Sequence, residues 1–308
     1  MTDKTTPVLE VMDLSVKFRQ YGKGLKQFEL EVISSLSVRI HSGEILAVVG
    51  SSGSGKSLLA HAVLGILPAN GIVSGSIKYC GQELTKEKQE ELRGKEIALV
   101  PQSVTYLDPL MKIGEQARGP RGLKEVQQKV FRKYGLQSEV EEMYPFQLSG
   151  GMARRVLVST AVVSDARLIV ADEPTPGLDP AIAEETVRHL RELADEGRAV
   201  MLITHDLELA FKVADRIAVF YGGTTLEIAP TEDFIKGGAA LRHPYSRALW
   251  DALPQNGFKP IPGFQPYAGT LSGGCIFSPR CPYRQGECLE RIDMRELRGG
   301  TVRCYHAT

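Results

Sequence analysis

The chain has 308 residues, of which 37 are Lys or Arg and 37 are Asp or Glu, so its formal net charge is zero. Balanced charge argues against nucleic acid or a bulk anionic surface as a partner. No run approaches the ~20 consecutive apolar residues that span a bilayer, and the polar start MTDKTTPVLEV lacks the apolar core of a signal peptide. We therefore expect a cytoplasmic protein that reaches a membrane only by docking on another protein.

The first strand-like segments alternate apolar and polar residues, which is the pattern of a half-buried sheet. These segments are VLEVMDLSVKF, VISSLSVRI and SGSIKYCG, and we expect them to form an antiparallel sheet. Later runs are short and wholly apolar, which is typical of buried parallel strands. These runs are ILAVV (45–49), IALV (97–100), LIVA (168–171), VMLIT (200–204) and RIAVFY (216–221).

Helical patterns fall between the apolar runs, notably KSLLAHAVLGIL (56–67) and AIAEETVRHLRELADEG (181–197). Strands that alternate with helices predict an α/β fold with a mainly parallel sheet. Over residues 103–157 the strand signal fades, which predicts a mostly helical insert. From about 236 the composition shifts, and KPIPGFQPYAGTLSGG indicates a loop. The predicted domains are therefore 1–235 and a C-terminal extension, 236–308.

Polar residues follow four of the apolar runs at the point where each strand ends. A glycine loop follows the first, Gln102 the second, Asp172 and Glu173 the third, and His205 the fourth. Open parallel sheets bind ligands at the carboxyl ends of their strands. We therefore expect these groups to meet at one edge of the sheet.

The glycine loop GSSGSGKS fits the G-x-x-x-x-G-K-[ST] pattern that cradles phosphates between a strand and a helix. Glycines let backbone N–H groups turn onto phosphate oxygens, and the helix N-terminus adds a favourable dipole. Lys56 is expected to reach the β- and γ-phosphates, and Ser57 to coordinate Mg²⁺. The predicted nucleotide-binding residues here are Gly50, Ser51, Ser52, Gly53, Ser54, Gly55, Lys56, Ser57 and Leu58.

The paired carboxylates point in different directions because they are adjacent on a strand. Asp172 is predicted to hold Mg²⁺, and Glu173 to orient and deprotonate the attacking water. His205 is placed to bond the γ-phosphate. Gln102 is predicted to sense that phosphate through Mg²⁺ and water.

A second anion-binding pattern, LSGGM, lies at Leu148, Ser149, Gly150, Gly151 and Met152. The ordered set of GSSGSGKS, Gln102, LSGGM, LIVADE and His205 resembles the nucleotide-binding subunit of ABC transporters. The resemblance covers almost the whole chain, and kinases and GTPases with the same phosphate loop lack LSGG. It implies a P-loop ABC cassette with an antiparallel β subdomain and a helical insert, binding ATP and Mg²⁺.

The resemblance also explains why one domain carries two cradles. In that family two cassettes meet head to tail, and the LSGG of each caps the γ-phosphate of ATP held by the other. Asp179, in PTPGLDP, resembles the loop along the dimer seam. Phe18 corresponds to the aromatic residue that stacks on adenine, with Tyr21 as a fallback and a core role for Phe18 as the alternative.

Further partners follow from the same resemblance. We expect a second, related ATP-binding subunit, two transmembrane permease subunits, and an extracellular or periplasmic solute-binding protein. The chain would then lie on the cytoplasmic face of the membrane, docked near Gln102 and residues 103–115. The rival hypothesis is a soluble ABC ATPase of translation or DNA repair. Tandem cassettes, a coiled-coil insertion or basic patches would mark that class, and this sequence has none of them.

The C-terminal segments HPYSRALWDALP, IPGFQP and GCIFSPRCPYRQGEC resemble the extension of oligopeptide, dipeptide and nickel importers. Four cysteines with C-x5-C-x6-C-x15-C spacing lie there, and a reducing compartment favours a metal site over disulfides. They are Cys275, Cys281, Cys288 and Cys304. The resemblance implies a [4Fe–4S] cluster, with Zn²⁺ or unligated thiols as alternatives. Cys80 is expected to be a small buried side chain.

Overall fold

The computed structural model describes residues 6–22, 24, 26–119, 122–266 and 273–308. The strands in chain order are β1 (Leu9–Tyr21), β2 (Gln27–Ile40), β3 (Ile45–Gly50), β4 (Gly71–Tyr79), β5 (Gln82–Glu83), β6 (Ile97–Val100), β7 (Leu168–Asp172), β8 (Ala199–Thr204), β9 (Arg216–Tyr221), β10 (Thr224–Pro230), β11 (Arg295–Leu297) and β12 (Gly300–Val302). The α-helices are α1 (Lys56–Leu64), α2 (Lys86–Leu92), α3 (Ile113–Arg118), α4 (Lys124–Lys133), α5 (Gly150–Val163), α6 (Pro180–Asp195), α7 (Leu207–Val213), α8 (Thr231–Lys236) and α9 (Pro244–Asp251).

The larger sheet has the strand order β11-β12-β10-β9-β3-β8-β7-β6. Strands β9, β3, β8, β7 and β6 run parallel, while β10, β12 and β11 continue the sheet as antiparallel strands. The apolar runs predicted as buried parallel strands are therefore confirmed. Because the strands that carry the polar end residues are all parallel, their carboxyl ends lie along one edge.

The smaller sheet has the order β2-β1-β4-β5 and is antiparallel throughout. It packs on one face of the larger sheet, and alternate residues such as Leu168 and Val170 point into that core. The intervening Ile169 and Ala171 face the second core, on the other side of the larger sheet. Both faces of β7 are buried, which explains its unbroken apolar sequence.

The predicted helical insert contains α3, α4 and most of α5, which pack together in the second core. Helix α5 continues past residue 157 to Val163, because its apolar side chains remain buried beyond that point. Helix α1 stops earlier than its apolar pattern predicts. It ends at Leu64, where Gly65 adopts a left-handed φ of +66° and closes the helix.

The C-terminal extension joins the larger sheet. Glu227 and Ile228 of β10 pair with Val302 and Thr301 of β12, so hydrogen bonding crosses the predicted boundary at 235/236. A third core contains residues from β9, β10 and α9 together with buried cysteines of the extension. In the part of the chain that the structure describes, no helix is both long enough and apolar enough to cross a membrane.

Candidate active site

The phosphate loop connects β3 to α1, as the sequence predicts. Only glycine fits at position 50, because a Cβ there would lie 2.2 Å from the Phe220 carbonyl oxygen on β9. Gly55 precedes α1 with a φ of +92°, in the left-handed region that favours glycine. The hydroxyl of Ser54 is buried and has no partner among the described residues. The loop thus has the backbone geometry of a cradle and an unsatisfied polar group within it.

Lys56 begins α1 and its ammonium group is held by the loop itself. Its Nζ donates to the carbonyl oxygens of Gly50 and Ser51, at 2.9 and 3.1 Å. Burial lowers the pKa of Lys56, while Glu173 and Asp172 oppose that shift. The cation can exchange these carbonyl partners for phosphate oxygens, which are stronger acceptors because they are charged.

Asp172, the last residue of β7, lies against the start of α1. The Ser57 hydroxyl donates to its Oδ1 at 3.1 Å. Burial raises the pKa of Asp172, and the bond from Ser57 counters this. A carboxylate and a hydroxyl oxygen at this spacing suit Mg²⁺, which takes oxygen ligands and usually keeps several waters. These two residues therefore fit the predicted Mg²⁺ site.

Glu173 has a φ of +48°, which is uncommon for a residue other than glycine. Such backbone costs about 1–3 kcal/mol and clusters at active sites. The Glu173 amide donates to Ile203 of β8 at 2.9 Å, which fixes the turn. Its carboxylate accepts from or pairs with Nδ1 of His205 at 2.8 Å. The structure therefore brings together the two residues predicted to act on water and on the γ-phosphate.

His205 directly follows β8, and its side chain is 67% exposed, whereas the carboxylate of Glu173 is buried. Because Nδ1 is used by Glu173, Nε2 is the ring nitrogen left for a ligand. The predicted bond from His205 to the γ-phosphate stays a prediction. The contact with Glu173 adds a role that the sequence did not indicate, which is to orient the carboxylate.

Gln102 follows β6 and is exposed. Its backbone carbonyl accepts a hydrogen bond from Arg154 of α5, and the same guanidinium donates to the carbonyls of Pro101 and Pro176 at 3.3 Å each. Sequence reasoning missed Arg154, because nothing in its neighbourhood distinguishes it from a surface arginine. It links the helix after LSGG to the loops that follow β6 and Glu173.

The LSGGM segment forms the start of α5. Ser149 is the N-cap, and its Oγ accepts from the Met152 amide at 3.3 Å. A Cβ added at Gly150 or Gly151 would meet no atom within 4 Å. Packing within one subunit therefore does not require glycine at either position. Asp179 likewise caps α6, accepting from the Ala181 amide at 2.9 Å, and its predicted place at a dimer seam stays a prediction.

The aromatic residue predicted to stack on adenine, Phe18, lies on β1 opposite Leu30 and Gly71. It is partly buried and packs against the first core. The alternative, Tyr21, is exposed, and its hydroxyl accepts from Gln27 at 2.8 Å. Phe18 thus has a packing role in this subunit, and the adenine contact stays a prediction for both residues.

The four clustered cysteines carry free thiols. Burial raises the pKa of Cys275 to about 11, and its amide donates to the Cys288 carbonyl at 2.8 Å. Within the described residues, no three His, Cys, Asp or Glu side chains are grouped closely enough to hold a metal ion. The predicted [4Fe–4S] cluster and its alternative, Zn²⁺, therefore both stay predictions. Cys80 is only half-buried, at the edge of the first core.

Comparison with sequence families gives two matches. The ABC transporter family matches residues 33–176, and the oligopeptide/dipeptide transporter C-terminal region matches residues 226–288. The oligopeptide transport ATP-binding protein OppD of Haemophilus influenzae is 34% identical, covering 96% of this chain and 96% of that protein. The chain belongs to the oligopeptide-transport family of ABC ATP-binding subunits.

Other members of this family are similarly close. OppD of Escherichia coli is 32% identical over 97% of this chain and 93% of its own length. A putative peptide import ATP-binding protein of Brucella abortus is 33% identical over 98% of this chain and 95% of its own length. Membership confirms the resemblance seen in the sequence and identifies the chain as an ATPase coupled to transport.

Solved structures confirm the fold. A dimeric ATP-binding cassette in a post-hydrolysis state with ADP and Pi matches with a TM-score of 0.64 and 23% identity, over 72% of this chain and 98% of its own. A nucleotide-free cassette matches with a TM-score of 0.60 and 22% identity, over 75% of this chain and 94% of its own. These likenesses show that the chain has the ABC cassette fold.

Proposed function

We propose that this chain hydrolyses ATP to energise a peptide importer, working head to tail with a related ATP-binding subunit. The observation that supports this most directly is the convergence of the phosphate loop, Asp172 and the Glu173–His205 pair at the carboxyl edge of the parallel sheet. The chain also resembles peptide-import ATPases along nearly its whole length.

The chemistry follows from the positions of these groups. Lys56 and the loop amides hold the β- and γ-phosphates, while Ser57 and Asp172 hold Mg²⁺, which supplies charge neutralisation when bound. A water oxygen attacks the γ-phosphorus, and Glu173 accepts the proton that this water loses. The bond between the γ-phosphorus and the bridging oxygen breaks, and its electron pair leaves with ADP. His205 holds Glu173 in orientation.

Support for a head-to-tail dimer comes from the two glycines of the LSGGM segment. Gly150 and Gly151 face open space, so neither is explained by packing within one chain. A γ-phosphate bound by the partner subunit would need backbone N–H groups that no Cβ obstructs. The N-terminus of α5 would add a favourable dipole toward that anion. We infer that Ser149 and both glycines act on ATP held by the other subunit.

Docking on two permease subunits is proposed for the surface beside Gln102. Several large apolar side chains are exposed there, including Tyr106, Met111 and Leu110, which is 88% exposed. Exposed apolar groups of this size are typical of protein contact sites. The chain would then act at the cytoplasmic face of the membrane, with a solute-binding protein on the opposite side. Its relatives' names favour peptide as cargo, with nickel or a metal chelate as alternatives.

The [4Fe–4S] cluster is proposed on the resemblance of the extension and on its set of four thiols. Four cysteine thiolates are the usual ligand set of such a cluster. The test is chemical analysis of protein purified without oxygen. Iron and acid-labile sulfide with broad visible absorbance are expected. Protein that is colourless and lacks both would contradict the cluster.

The decisive experiment compares Glu173→Gln with wild type in the assembled transporter. We expect ATP turnover to fall about 10²–10⁴-fold, since general base catalysis contributes that much, while ATP binding persists. Peptide uptake into proteoliposomes should stop in parallel. Glu90→Gln, on the exposed face of α2, is the matched control and should retain both activities.

Two results would contradict parts of the proposal. Wild-type turnover in Glu173→Gln would remove the assigned base. Normal ATP turnover without peptide uptake by the wild-type transporter, together with uptake of nickel or a chelate, would replace the cargo and leave the ATPase assignment intact.

A further inference from the structure

The phosphate loop is in direct contact with the C-terminal extension. Ser51, the second residue of the loop, donates a hydrogen bond from its hydroxyl to Oε1 of Gln265. These residues are 214 positions apart in the chain. The hydroxyl of Tyr245 also lies beside Ser51. Two side chains of the extension therefore meet at one residue of the nucleotide cradle.

Gln265 lies on a segment without regular structure, and Arg280 fixes that segment in place. The guanidinium donates to the carbonyl of Pro262 at 2.6 Å and to that of Ile261 at 2.8 Å. It also donates to the Tyr221 hydroxyl at 3.1 Å, at the end of β9. Arg280 thus ties the loop that carries Gln265 to the strand adjacent to the phosphate loop.

Tyr245 is held just as firmly. It is 2% exposed, and its ring packs on Tyr221 and Phe277, with centroids 4.5 and 5.2 Å away. Tyr221 follows Phe220, the residue whose carbonyl forces glycine at position 50. The aromatic cluster of Tyr221, Tyr245 and Phe277 is therefore built on the strand end that also shapes the phosphate loop.

The effect of these contacts falls on the backbone of the loop. The carbonyl of Ser51 is one of the two partners of Lys56, so fixing Ser51 also fixes the position from which the ammonium turns to phosphate. A glycine-rich loop has many accessible conformations, and ordering it on binding costs affinity. Contacts that order the loop beforehand reduce that cost.

We propose that Gln265, with Tyr245, is a positioning residue of the ATP site, holding Ser51 so that the phosphate loop is ordered before ATP binds. The C-terminal extension is then part of the nucleotide site. Neither residue touches ATP in this proposal, and both act through Ser51. The expected signature is a change in ATP affinity with little change in turnover at saturation.

The experiment measures the Kd of a fluorescent Mg²⁺–ATP analogue on the full chain, and KM and kcat on the assembled transporter. One lost hydrogen bond contributes about 0.5–1.5 kcal/mol, so Gln265→Ala should raise Kd and KM about 2–13-fold with kcat unchanged. Tyr245→Phe keeps the packed ring and removes only the hydroxyl beside Ser51, so it should raise Kd by no more than Gln265→Ala does. Gln255→Ala, an exposed glutamine of the same extension, is the matched control and should behave as wild type.

Gln265→Glu distinguishes positioning at the phosphates from general support of the fold. The carboxylate still accepts from Ser51, but its charge repels the triphosphate. At about 0.05 M salt this variant should bind ATP at least as weakly as Gln265→Ala. Near 1 M salt the Debye length is about 3 Å, so the repulsion is screened. The Kd of Gln265→Glu should then approach the wild-type Kd, while the Kd of Gln265→Ala should not. In a Ser51→Ala background, Gln265→Ala should cause no further loss of ATP affinity, because both substitutions remove the same hydrogen bond.

Three results would overturn the proposal. A wild-type Kd in Gln265→Ala would show that the contact with Ser51 does not order the phosphate loop. A Kd below the wild-type value in Gln265→Ala would show that the contact of Gln265 with Ser51 weakens ATP binding. A fall in kcat with unchanged KM, or a free energy of unfolding lowered in step with affinity, would assign Gln265 to another role.

Discussion

Replacing Gly151 with alanine should separate the stability of the subunit from its activity. An added Cβ meets no atom within 4 Å, and Gly151 is the second residue of α5. Alanine in a helix is favoured over glycine by about 0.5–1 kcal/mol. The free energy of unfolding of the isolated subunit should therefore stay the same or rise, by up to about 1 kcal/mol.

The ATP turnover of the Gly151→Ala transporter should fall, although the isolated subunit keeps its stability. In the proposed dimer the Cβ would stand between the backbone amides and the γ-phosphate held by the partner subunit. A hydrogen bond to a charged group contributes about 1.5–3 kcal/mol, so ATP turnover should fall about 10–150-fold. The measurements are urea unfolding of the isolated subunit and steady-state ATPase of the assembled transporter.

Gly286→Ala is the matched control. Gly286 also begins a short helical turn and also has no atom within 4 Å of an added Cβ. It should likewise keep or raise the free energy of unfolding, and it should leave turnover unchanged. The reasoning is refuted if Gly151→Ala destabilises the isolated subunit by more than about 1 kcal/mol, since the glycine would then be structural. Wild-type turnover in the assembled Gly151→Ala transporter would refute the trans role.

Two further predictions concern stability. Arg242 is buried with the carboxylate of Glu227, 3.3 Å away. Arg242→Met should lower the free energy of unfolding in urea by about 3–5 kcal/mol, because it leaves the buried charge of Glu227 unpaired. Adding Glu227→Gln to the same chain should recover part of that loss, whereas a loss below about 1 kcal/mol in Arg242→Met would contradict this reasoning. Burial lowers the pKa of His189 from its usual 6.5. As the pH falls below 6.5, His189 therefore binds a proton in the unfolded chain before it does so in the folded chain. The free energy of unfolding should then drop by up to about 1.4 kcal/mol per pH unit. His189→Phe, which keeps a ring beside Tyr134, should make that pH dependence shallower, and an identical slope would exclude His189 as its source.

Much of the candidate site could be predicted because its functional groups lie in short motifs of neighbouring residues. The phosphate loop needs glycines and a lysine at fixed spacing, and the carboxylates must follow a buried strand. Which side chains of β7 face which core could not be predicted, because both of its faces are apolar and its sequence shows no period. The apolar pattern predicts an end of α1 three residues too late, since it continues past the glycine that closes the helix.

The partners of the predicted residues depend on packing between distant segments. Glu173 meets His205 across 32 positions, and Arg154 reaches the carbonyl of Gln102 across 52. Ser51 meets Gln265 across 214 positions, on a loop with no regular pattern. No local signal marks such pairs, because the strands and helices that bring them together are specified by the whole core.

The sequence by itself determined the family, the phosphate cradle, the paired carboxylates after β7 and the helix that begins at LSGGM, since each rests on a short motif or an apolar run. Only the tertiary structure decided that Glu173 is held in a left-handed backbone conformation by β8, and that the C-terminal extension continues the main sheet and contacts the phosphate loop. The physical reason is that a motif supplies functional groups, whereas their orientation is fixed by hydrogen bonds and packing from residues far away in the chain.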